Sequence, residues 1–289
     1  MFGPKYLFCR HNLEGENMIY TKIDASLLAM LVFLIPSALL ASNEKPSVTD
    51  IIQKCDNKYA GEDQNTIFSI SIKNKQGRVQ NAVYQRYWKY QKGDKNINDK
   101  LSLITLSPPD AKNTAFLQHS FNVGQDKNAE QWLYLPSLRS LRRTTIRDLS
   151  DSFLGSDLTF DDIRLRSINE DNHNLINMNN SEKGVQYLVE SKPKESTSIY
   201  GRKVIVYEEN KKTDTCLKTQ VTYYNKNNGI IKQQTLSWQK VGKAWLWETV
   251  IVKNAQTFGS STFKISRAKV NTGLDDKLFT TRMLKRGIH

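Results

Sequence analysis

The feature that most constrains this 289-residue sequence is an alternation of apolar and polar side chains that begins near residue 66. Phe68, Ile70 and Ile72 are separated by single polar residues. A period of two places the apolar side chains on one face, as in a half-buried antiparallel strand. Similar strands are predicted at 79–90, 101–106, 114–119, 130–135, 185–191, 203–208, 217–225, 230–240, 245–253 and 262–270.

Turn signals separate these segments, and the strongest is the pair Asn228–Gly229. It predicts a type I′ hairpin turn, because both central residues of that turn need a positive φ. No Pro/Gly-rich linker or long repeat interrupts residues 43–289, which predicts a single domain. About eleven strands is a size at which open sheets curl or close. We therefore expect an α+β, mainly β fold: a strongly curved antiparallel sheet with a few helices against one face.

Helical segments are few in this sequence. Ser47 and Asp50 form a candidate capping box that opens a helix through about Ala60. Shorter helical segments are predicted at 137–150, 157–164 and 275–285.

An apolar run from Ala25 to Ala41 follows Lys22 and ends in small residues, which is typical of a secretory signal peptide. We expect residues 1–42 to form an N-terminal extension and signal peptide. Residues 43–289 would then be one periplasmic domain. The run is close to the lower length limit for crossing a bilayer, so an uncleaved inner-membrane anchor is the alternative.

The chain is strongly basic, with 42 Lys and Arg residues against 29 Asp and Glu residues and a net charge of +13. Outside the cytoplasm such a charge favours an anionic membrane surface as partner over nucleic acid. No basic-aromatic platform for nucleic acid is evident. The alternative is a solvated basic surface without a partner. We expect a monomer.

Residues 43–289 contain two cysteines, Cys55 and Cys216. They could pair in an oxidising compartment, although we favour two buried free thiols. His119 and His173 lack a nucleophile and carboxylate context, so ordinary polar roles are expected. The sequence has no common catalytic, phosphate-binding or zinc motif, which predicts a protein that is not an enzyme and has no cofactor.

The most distinctive stretch runs from Trp132 to Asp162. A strand with alternating aromatic residues ends at Pro136, which cannot continue a hydrogen-bonded ladder. A Gly-Ser-Asp element then precedes a short helix, and Asp157 is predicted to cap it rather than to act in catalysis. Between the two lies a basic turn with Arg139, Arg142, Arg143 and Arg147.

This stretch resembles the outer-membrane lipoprotein-sorting protein family of the LolA-like superfamily, in the branch with a W-x-Y-L-P…R-R…D-S-F-x-G-S-D signature. Leu158 and Phe160 stand where the pattern usually has Phe and Tyr, and Asn113 stands where a glycine is expected. The resemblance spans about residues 47–286. The signature consists here of Trp132, Tyr134, Leu135, Pro136, Arg142, Arg143, Asp151, Ser152, Phe153, Gly155, Ser156, Asp157 and Asp162.

The resemblance implies a half-open β-barrel whose helices cover an apolar cavity. It also implies a cargo, a lipid or lipoprotein acyl chain, and a membrane exporter of the resistance-nodulation-division type as a partner. The arginines of the basic turn could contact lipid phosphates or an acidic partner, or form a solvated face. Ligand or partner contacts are expected from Trp132, Tyr134, Leu135, Arg139, Arg142, Arg143, Phe153 and Phe160. Structural roles are expected for Pro136, Asp151, Gly155, Ser156, Asp157 and Asp162.

Three functional hypotheses follow. The first is a periplasmic, non-enzymatic carrier that binds an acyl chain for outer-membrane lipoprotein sorting or lipid transport. The second is an accessory or sensor module docked on an exporter, with a cavity too small for lipid. The third is a hydrolase that uses the aspartates near residue 157. It is the least favoured, because nothing in the sequence fixes the geometry of these aspartates.

Overall fold

The protein is built around one large sheet. The structure is a computed structural model that describes residues 45–122, 129–143, 149–164 and 166–286. Within these ranges the strands are Asp63–Lys73 (β1), Val79–Tyr90 (β2), Ile97–Ser107 (β3), Ala115–Phe121 (β4), Ala129–Leu135 (β5), Ser140–Arg143 (β6), Asp171–Asn180 (β7), Gly184–Pro193 (β8), Arg202–Asn210 (β9), Thr215–Tyr224 (β10), Ile230–Val241 (β11), Ala244–Asn254 (β12) and Ser260–Val270 (β13).

The strand order is β6-β5-β4-β3-β2-β1-β13-β12-β11-β10-β9-β8-β7, and all of the pairings are antiparallel. The sheet therefore consists of two runs of consecutive hairpins that join where β1 pairs with β13. Within the described residues the edge strands β6 and β7 do not pair with each other, so the sheet is open. This architecture confirms the predicted mainly β, antiparallel fold class.

Two strands extend the sheet beyond the eleven that the sequence predicts. β6 lies in the segment 137–150, which was expected to be helical, after a 3-10 turn over Pro136–Leu138. β7 has mostly polar side chains, and most of them are at least partly exposed. Both strands lie at sheet edges, where one side has no neighbour and apolar alternation is not required. The alternation pattern therefore misses them.

The helices are shorter than expected. α1 spans Val48–Asp56, with Ser47 as its N-cap, and ends earlier than predicted because its buried face ends at Cys55. α2 spans only Phe160–Ile163. The predicted C-terminal helix is split into a 3-10 turn at Asp276–Phe279 and α3, which spans Thr281–Arg286, because Thr280 between them is extended.

Two turns show how local sequence sets the backbone. The hairpin at Asn228–Gly229 forms, but it is not the predicted type I′ turn, since only Asn228 has a positive φ (61°). Instead, the Oδ1 atom of Asn225 accepts hydrogen bonds from the backbone N–H groups of Asn227 (2.9 Å) and Gly229 (2.8 Å). Asn113, which replaces an expected glycine, adopts a φ of 65°. Asparagine tolerates this left-handed conformation better than most residues, so the turn is kept.

The core is divided between the two faces of the sheet. Adjacent residues of a strand point to opposite faces, so Leu103 and Ile104 of β3 define them. The inner face carries Leu103 and packs against α1 and the segment that contains α2. The outer face carries Ile104 and packs against Phe279 and Leu284 of the C-terminal segment. The C-terminal segment is therefore on the side of the sheet opposite α1 and α2.

Cys55 and Cys216 form a disulfide bond, so the favoured expectation of two free thiols is wrong. The bond joins α1 to β10, and both cysteines are buried in the cluster under α1. The helix places Cys55 against the inner face, where its Cα atom lies 4.6 Å from that of Cys216. The partners are 161 residues apart in the sequence, and only the folded sheet brings them together.

The predicted signal peptide, residues 1–42, lies outside the described residues. The described residues belong to one compact unit that begins at Lys45. Among their helices, none has both the length and the apolar character that a bilayer span requires.

Candidate functional site

The segment 149–164 crosses the inner face of the sheet and is held there by aromatic packing. Phe153 and Phe160 are buried, and their ring centroids lie 5.6 Å apart. Both rings contact Phe116 of β4, at 5.3 and 5.9 Å between centroids. Apolar burial of three aromatic side chains is a large stabilising contribution, so this triad fixes the segment to the sheet.

Hydrogen bonds within the segment give it a compact, defined shape. The N–H of Phe153 donates to the carbonyl of Leu158 (2.7 Å), and the Ser156 hydroxyl donates to the carbonyl of Phe153 (2.6 Å). Ser152 also donates to the Ser156 carbonyl. Gly155 has a φ of 76°, a backbone conformation that residues other than glycine adopt only at a cost in free energy. The Ser and Gly residues of the signature therefore shape this loop.

Asp157 is not the N-cap that the sequence predicts. The N-cap of α2 is Thr159, because the helix begins two residues later than expected. The carboxylate of Asp157 instead accepts hydrogen bonds from Asn254 Nδ2 (2.9 Å) and Ser261 Oγ (2.6 Å). These partners lie at the end of β12 and the start of β13, so Asp157 fastens the segment to the central strands.

Asp162 is the most deeply buried charge of the segment. Its Oδ2 atom accepts hydrogen bonds from the N–H of Thr159 (2.8 Å) and from Lys232 Nζ (2.5 Å), and its Oδ1 atom accepts one from the Tyr200 hydroxyl (2.9 Å). The side chains of Asp162 and Lys232 are 1% and 3% exposed. Burial, together with the nearby Asp162 carboxylate, raises the pKa of Tyr200 well above its ordinary value. Asp162 therefore connects α2, β11 and the loop before β9.

Arg164, the last residue of the segment, forms a second buried cluster of charged groups. Its guanidinium pairs with Asp161 and donates two hydrogen bonds to the Glu170 carboxylate, at 3.2 and 2.7 Å. Burial acts to raise the pKa of Glu170, but the hydrogen bonds and charge of Arg164 outweigh it and lower the pKa overall. The aspartates of this region are thus held as structural ion pairs and hydrogen-bond acceptors.

A cavity of about 380 Å³ lies between the segment and the inner face. This volume is within the range of small-molecule binding sites. Phe153, Leu158 and Ile163 form its wall on the side of the segment. Side chains of the sheet form the rest of the apolar lining, among them Phe68, Leu101, Leu103, Leu236, Trp247 and Phe263.

Polar side chains from β2, β3 and β4 form one part of the cavity wall. Gln118 donates to Ser120 Oγ (3.0 Å), and Ser120 donates to Asp99 Oδ1 (3.1 Å). Burial raises the pKa of Asp99, although its hydrogen bonds oppose the shift. Arg86 lies beside them and donates to Gln64 Oε1 (2.7 Å). Burial lowers the pKa of Arg86 to about 10, so the guanidinium remains protonated at neutral pH.

A second cavity, of about 580 Å³, lies on the other side of Asp162 and Arg164, under α1. It is lined mainly by polar and charged residues. Lys203, in this lining, is 8% exposed, and burial lowers its pKa. The ammonium group lies 5.0 Å from the centre of the Tyr200 ring. Among the described residues, no group of three or more His, Cys, Asp or Glu side chains is arranged to hold a metal ion.

The residues expected to contact a ligand are divided between the two faces. Trp132 and Tyr134 pair with Leu117 and Ala115 and therefore lie on the outer face, away from the cavity. Trp132 packs edge-on against His119 at 5.0 Å between centroids. Leu135, at the end of β5, is half-buried, and Pro136 begins the following 3-10 turn.

The basic turn forms an exposed edge of the sheet. Arg139 follows the 3-10 turn with a φ of 46°, and Arg142 and Arg143 lie in β6. Arg143 pairs with Glu130 at 2.5 Å and lies 6.0 Å from the centre of the Trp132 ring. Arg147 and Asp148 lie outside the described residues. Asp151 is exposed, and its carbonyl accepts a hydrogen bond from the N–H of Phe160 (3.1 Å).

His119 and His173 are both used in packing. His119 Nε2 lies 3.0 Å from the carbonyl of Phe279, and burial lowers the pKa of this imidazole. His173 contacts the Ser191 hydroxyl and the Ile168 carbonyl, each at 2.8 Å. These contacts leave each ring bridging two parts of the chain.

The cavity residues of β1–β3 were not predicted from the sequence. A signal for Arg86 was present, because it has the same parity as Tyr84 and Trp88 in β2 and so occupies the apolar face of the strand. A charged residue at an inward position is unusual unless it has a partner or a function. The contact residues predicted from the motif lie instead in the stretch from Trp132 to Asp162.

Comparisons with known proteins place this arrangement among related folds. A family model described as an uncharacterized protein matches residues 98–286. No curated protein matches the chain. A Vibrio parahaemolyticus domain described as an outer membrane lipoprotein-sorting protein is 25% identical, with a TM-score of 0.70 over 82% of this chain and 97% of that one.

Two further solved structures have the same fold. A DUF1329 family protein from Desulfovibrio piger is 23% identical, with a TM-score of 0.70, and the match covers 81% of this chain and 95% of that one. A LolA superfamily protein from Nitrosomonas europaea is 16% identical, with a TM-score of 0.60, and the match covers 82% and 99%. The structural neighbours of the chain are thus LolA-superfamily and lipoprotein-sorting domains.

Proposed function

The chain belongs to the family whose model matches residues 98–286, and from that premise we propose that it is a non-enzymatic carrier in the periplasm. Its cargo would be the acyl chain of a lipid or lipoprotein, bound in the apolar cavity of the inner face. The carrier would serve outer-membrane lipoprotein sorting or lipid transport. Its structural neighbours, a lipoprotein-sorting domain and a LolA superfamily protein, support this proposal.

The observation that carries the proposal is the unfilled apolar cavity under segment 149–164. Protein interiors are normally packed to the density of organic crystals, so an apolar space of about 380 Å³ is a site rather than a packing irregularity. A 16-carbon chain is kept out of water by roughly 12 kcal/mol, at about 0.8 kcal/mol per methylene. A site of this kind could lower the barrier to moving such a chain between membranes.

The proposal is tested by filling the cavity. Leu101 of β3 lines it and is half-buried, so Leu101→Trp should occupy the space of about two methylenes. We expect the affinity for a fluorescent fatty acid to fall about tenfold, from about 0.8 kcal/mol per displaced methylene. Binding is measured by fluorescence titration of the purified protein.

Leu106→Trp is the matched control, because Leu106 lies on the same strand, is exposed and does not line the cavity. It should bind the fatty acid as the unchanged protein does. The absence of saturable binding by the unchanged protein would contradict the carrier proposal, and so would equal affinities of the two variants.

We also propose an anionic membrane surface and an exporter of the resistance-nodulation-division type as partners. Arg139, Arg142 and Arg143 are exposed together at the β5–β6 edge, where they could approach lipid phosphates. This edge lies at one end of the sheet, so it could contact a membrane without disturbing the inner face.

A double charge reversal tests the membrane contact. Each basic residue near an anionic surface contributes about 1 kcal/mol, so Arg142→Glu with Arg143→Glu should weaken binding to phosphatidylglycerol vesicles at least about tenfold at low salt. Lys211→Glu with Lys212→Glu, at the exposed β9–β10 turn, changes the net charge equally and is the control. Equal losses in both double variants, measured by vesicle co-sedimentation, would assign the effect to net charge alone.

A further inference from the structure

The guanidinium of Arg86 is a charged group in the wall of a mainly apolar cavity. Its side chain lies on the inner face of β2, between Tyr84 and Trp88, and opposite Leu103. A guanidinium has five N–H donors. Within the described part of the chain, a single hydrogen bond is made, from Nη1 to Gln64 Oε1. The remaining donors have no protein acceptor there.

The neighbouring charges leave this guanidinium without a direct ion pair. Asp99 is near enough to influence its pKa, but its carboxylate accepts hydrogen bonds from Asn98 Nδ2 (2.7 Å) and Ser120 Oγ (3.1 Å). Among the described residues, no carboxylate forms an ion pair or a hydrogen bond with the Arg86 guanidinium. The other charged residues of the cavity, Asp162 and Arg164, are paired with Lys232 and with Asp161 and Glu170.

Arg86 is half-buried, so the donors that the protein leaves unpaired gain if an anion binds them. Even partial burial of a charged group without a partner is unfavourable, and a carboxylate matches the fork of guanidinium donors with two parallel hydrogen bonds. The apolar side chains around it, such as Leu101 and Trp247, suit a hydrocarbon chain. One cavity therefore offers a cationic group for the anionic head of an amphiphile and an apolar wall for its hydrocarbon tail.

We infer that Arg86 is an anion-binding site that pairs with the carboxylate of a single-chain fatty acid whose hydrocarbon tail lies along the apolar wall of the same cavity. This inference rests on the proposed carrier function and narrows its cargo to an acidic amphiphile with one unesterified carboxylate. The remaining guanidinium donors would contact the carboxylate, while Gln64 keeps the arginine in place.

The test compares two ligands of equal chain length, palmitic acid and hexadecanol, by isothermal titration of the full chain. The acid should bind about ten- to a hundredfold more tightly than the alcohol, the range for hydrogen bonds between charged partners. Arg86→Gln should remove this preference by weakening the acid while leaving the alcohol unchanged. Arg78→Gln, at an exposed position before β2, should leave both affinities unchanged.

A second variant should change the affinity for the acid in the opposite direction. Asp99→Asn removes a negative charge near Arg86, so it should tighten acid binding and leave alcohol binding unchanged. Arg86→Lys keeps the charge but not the paired donors, and should retain part of the preference. Thermal unfolding of each variant identifies any that fail to fold, and the Asp99→Asn result then remains decisive.

The outcomes separate this inference from the carrier proposal. If the acid and the alcohol bind equally, the carrier proposal stands and the role of Arg86 is overturned. A parallel loss of both ligands in Arg86→Gln would also overturn it, since that is what a structural role predicts. Tighter binding of hexadecyl phosphate than of palmitic acid would overturn the carboxylate assignment. If neither ligand binds the unchanged protein, the carrier proposal itself fails.

Discussion

Reducing the disulfide between Cys55 and Cys216 is expected to lower the free energy of unfolding by about 5 kcal/mol. The bond closes a loop of 161 residues in the unfolded chain, and the chain-entropy relation gives about this value for such a loop. The measurement is urea unfolding followed by tryptophan fluorescence, with and without dithiothreitol.

The variant with Cys55→Ala and Cys216→Ala is the control. Its unfolding midpoint should be low in both conditions and insensitive to the reductant. If the unchanged protein unfolds at the same urea concentration with and without the reductant, the two thiols are not joined under those conditions. The disulfide would then not stabilise the contact between α1 and β10.

Asp162→Asn is expected to lower the free energy of unfolding by about 3–5 kcal/mol. It removes the partner of Lys232, whose side chain is 3% exposed, and an uncompensated buried charge costs about this much. The same change weakens the capping of α2 and the hydrogen bond from Tyr200. Chemical unfolding of the variant measures the effect.

A double variant separates the buried charge from the lost hydrogen bonds. Asp162→Asn combined with Lys232→Met should be more stable than Asp162→Asn alone, because no charge is left unpaired. Glu62→Gln is the exposed control, since the Glu62–Lys92 pair is 47% and 71% exposed and should contribute less than about 1 kcal/mol. An Asp162→Asn variant as stable as Glu62→Gln would contradict a stabilising role for the buried pair.

Much of the sheet could be predicted because its pairings are local. Strands such as β1, β2 and β11–β13 have apolar residues on alternate positions and are joined by short turns, so a short window of sequence contains the signal. β7 could not be found in this way, because its side chains are mostly polar. The end of α1 depends on where its buried face stops, which is a property of the sheet that it covers.

The candidate site was harder to predict because it is assembled from distant parts of the chain. Asp162 meets Lys232 across 70 residues, and Cys55 meets Cys216 across 161, distances over which one sequence gives no pairing signal. The signature stretch supplies only one wall of the cavity, through residues such as Phe153 and Leu158. The opposite wall consists of residues on the inner face of strands that show only the usual apolar alternation, and Arg86 is one of these residues.

The pairing of β1 with β13 has a consequence for how the chain acquires its structure. β1–β6 and β7–β13 are each runs of hairpins between consecutive strands, so either run can begin to form from its own sequence. Gln64 and Val270 meet only when these runs join, across about two hundred residues. Loop closure over such a separation is slow, and it cannot be completed before β13 has been synthesised. During that interval the inward apolar side chains of both runs remain exposed to solvent, and a chaperone could bind them.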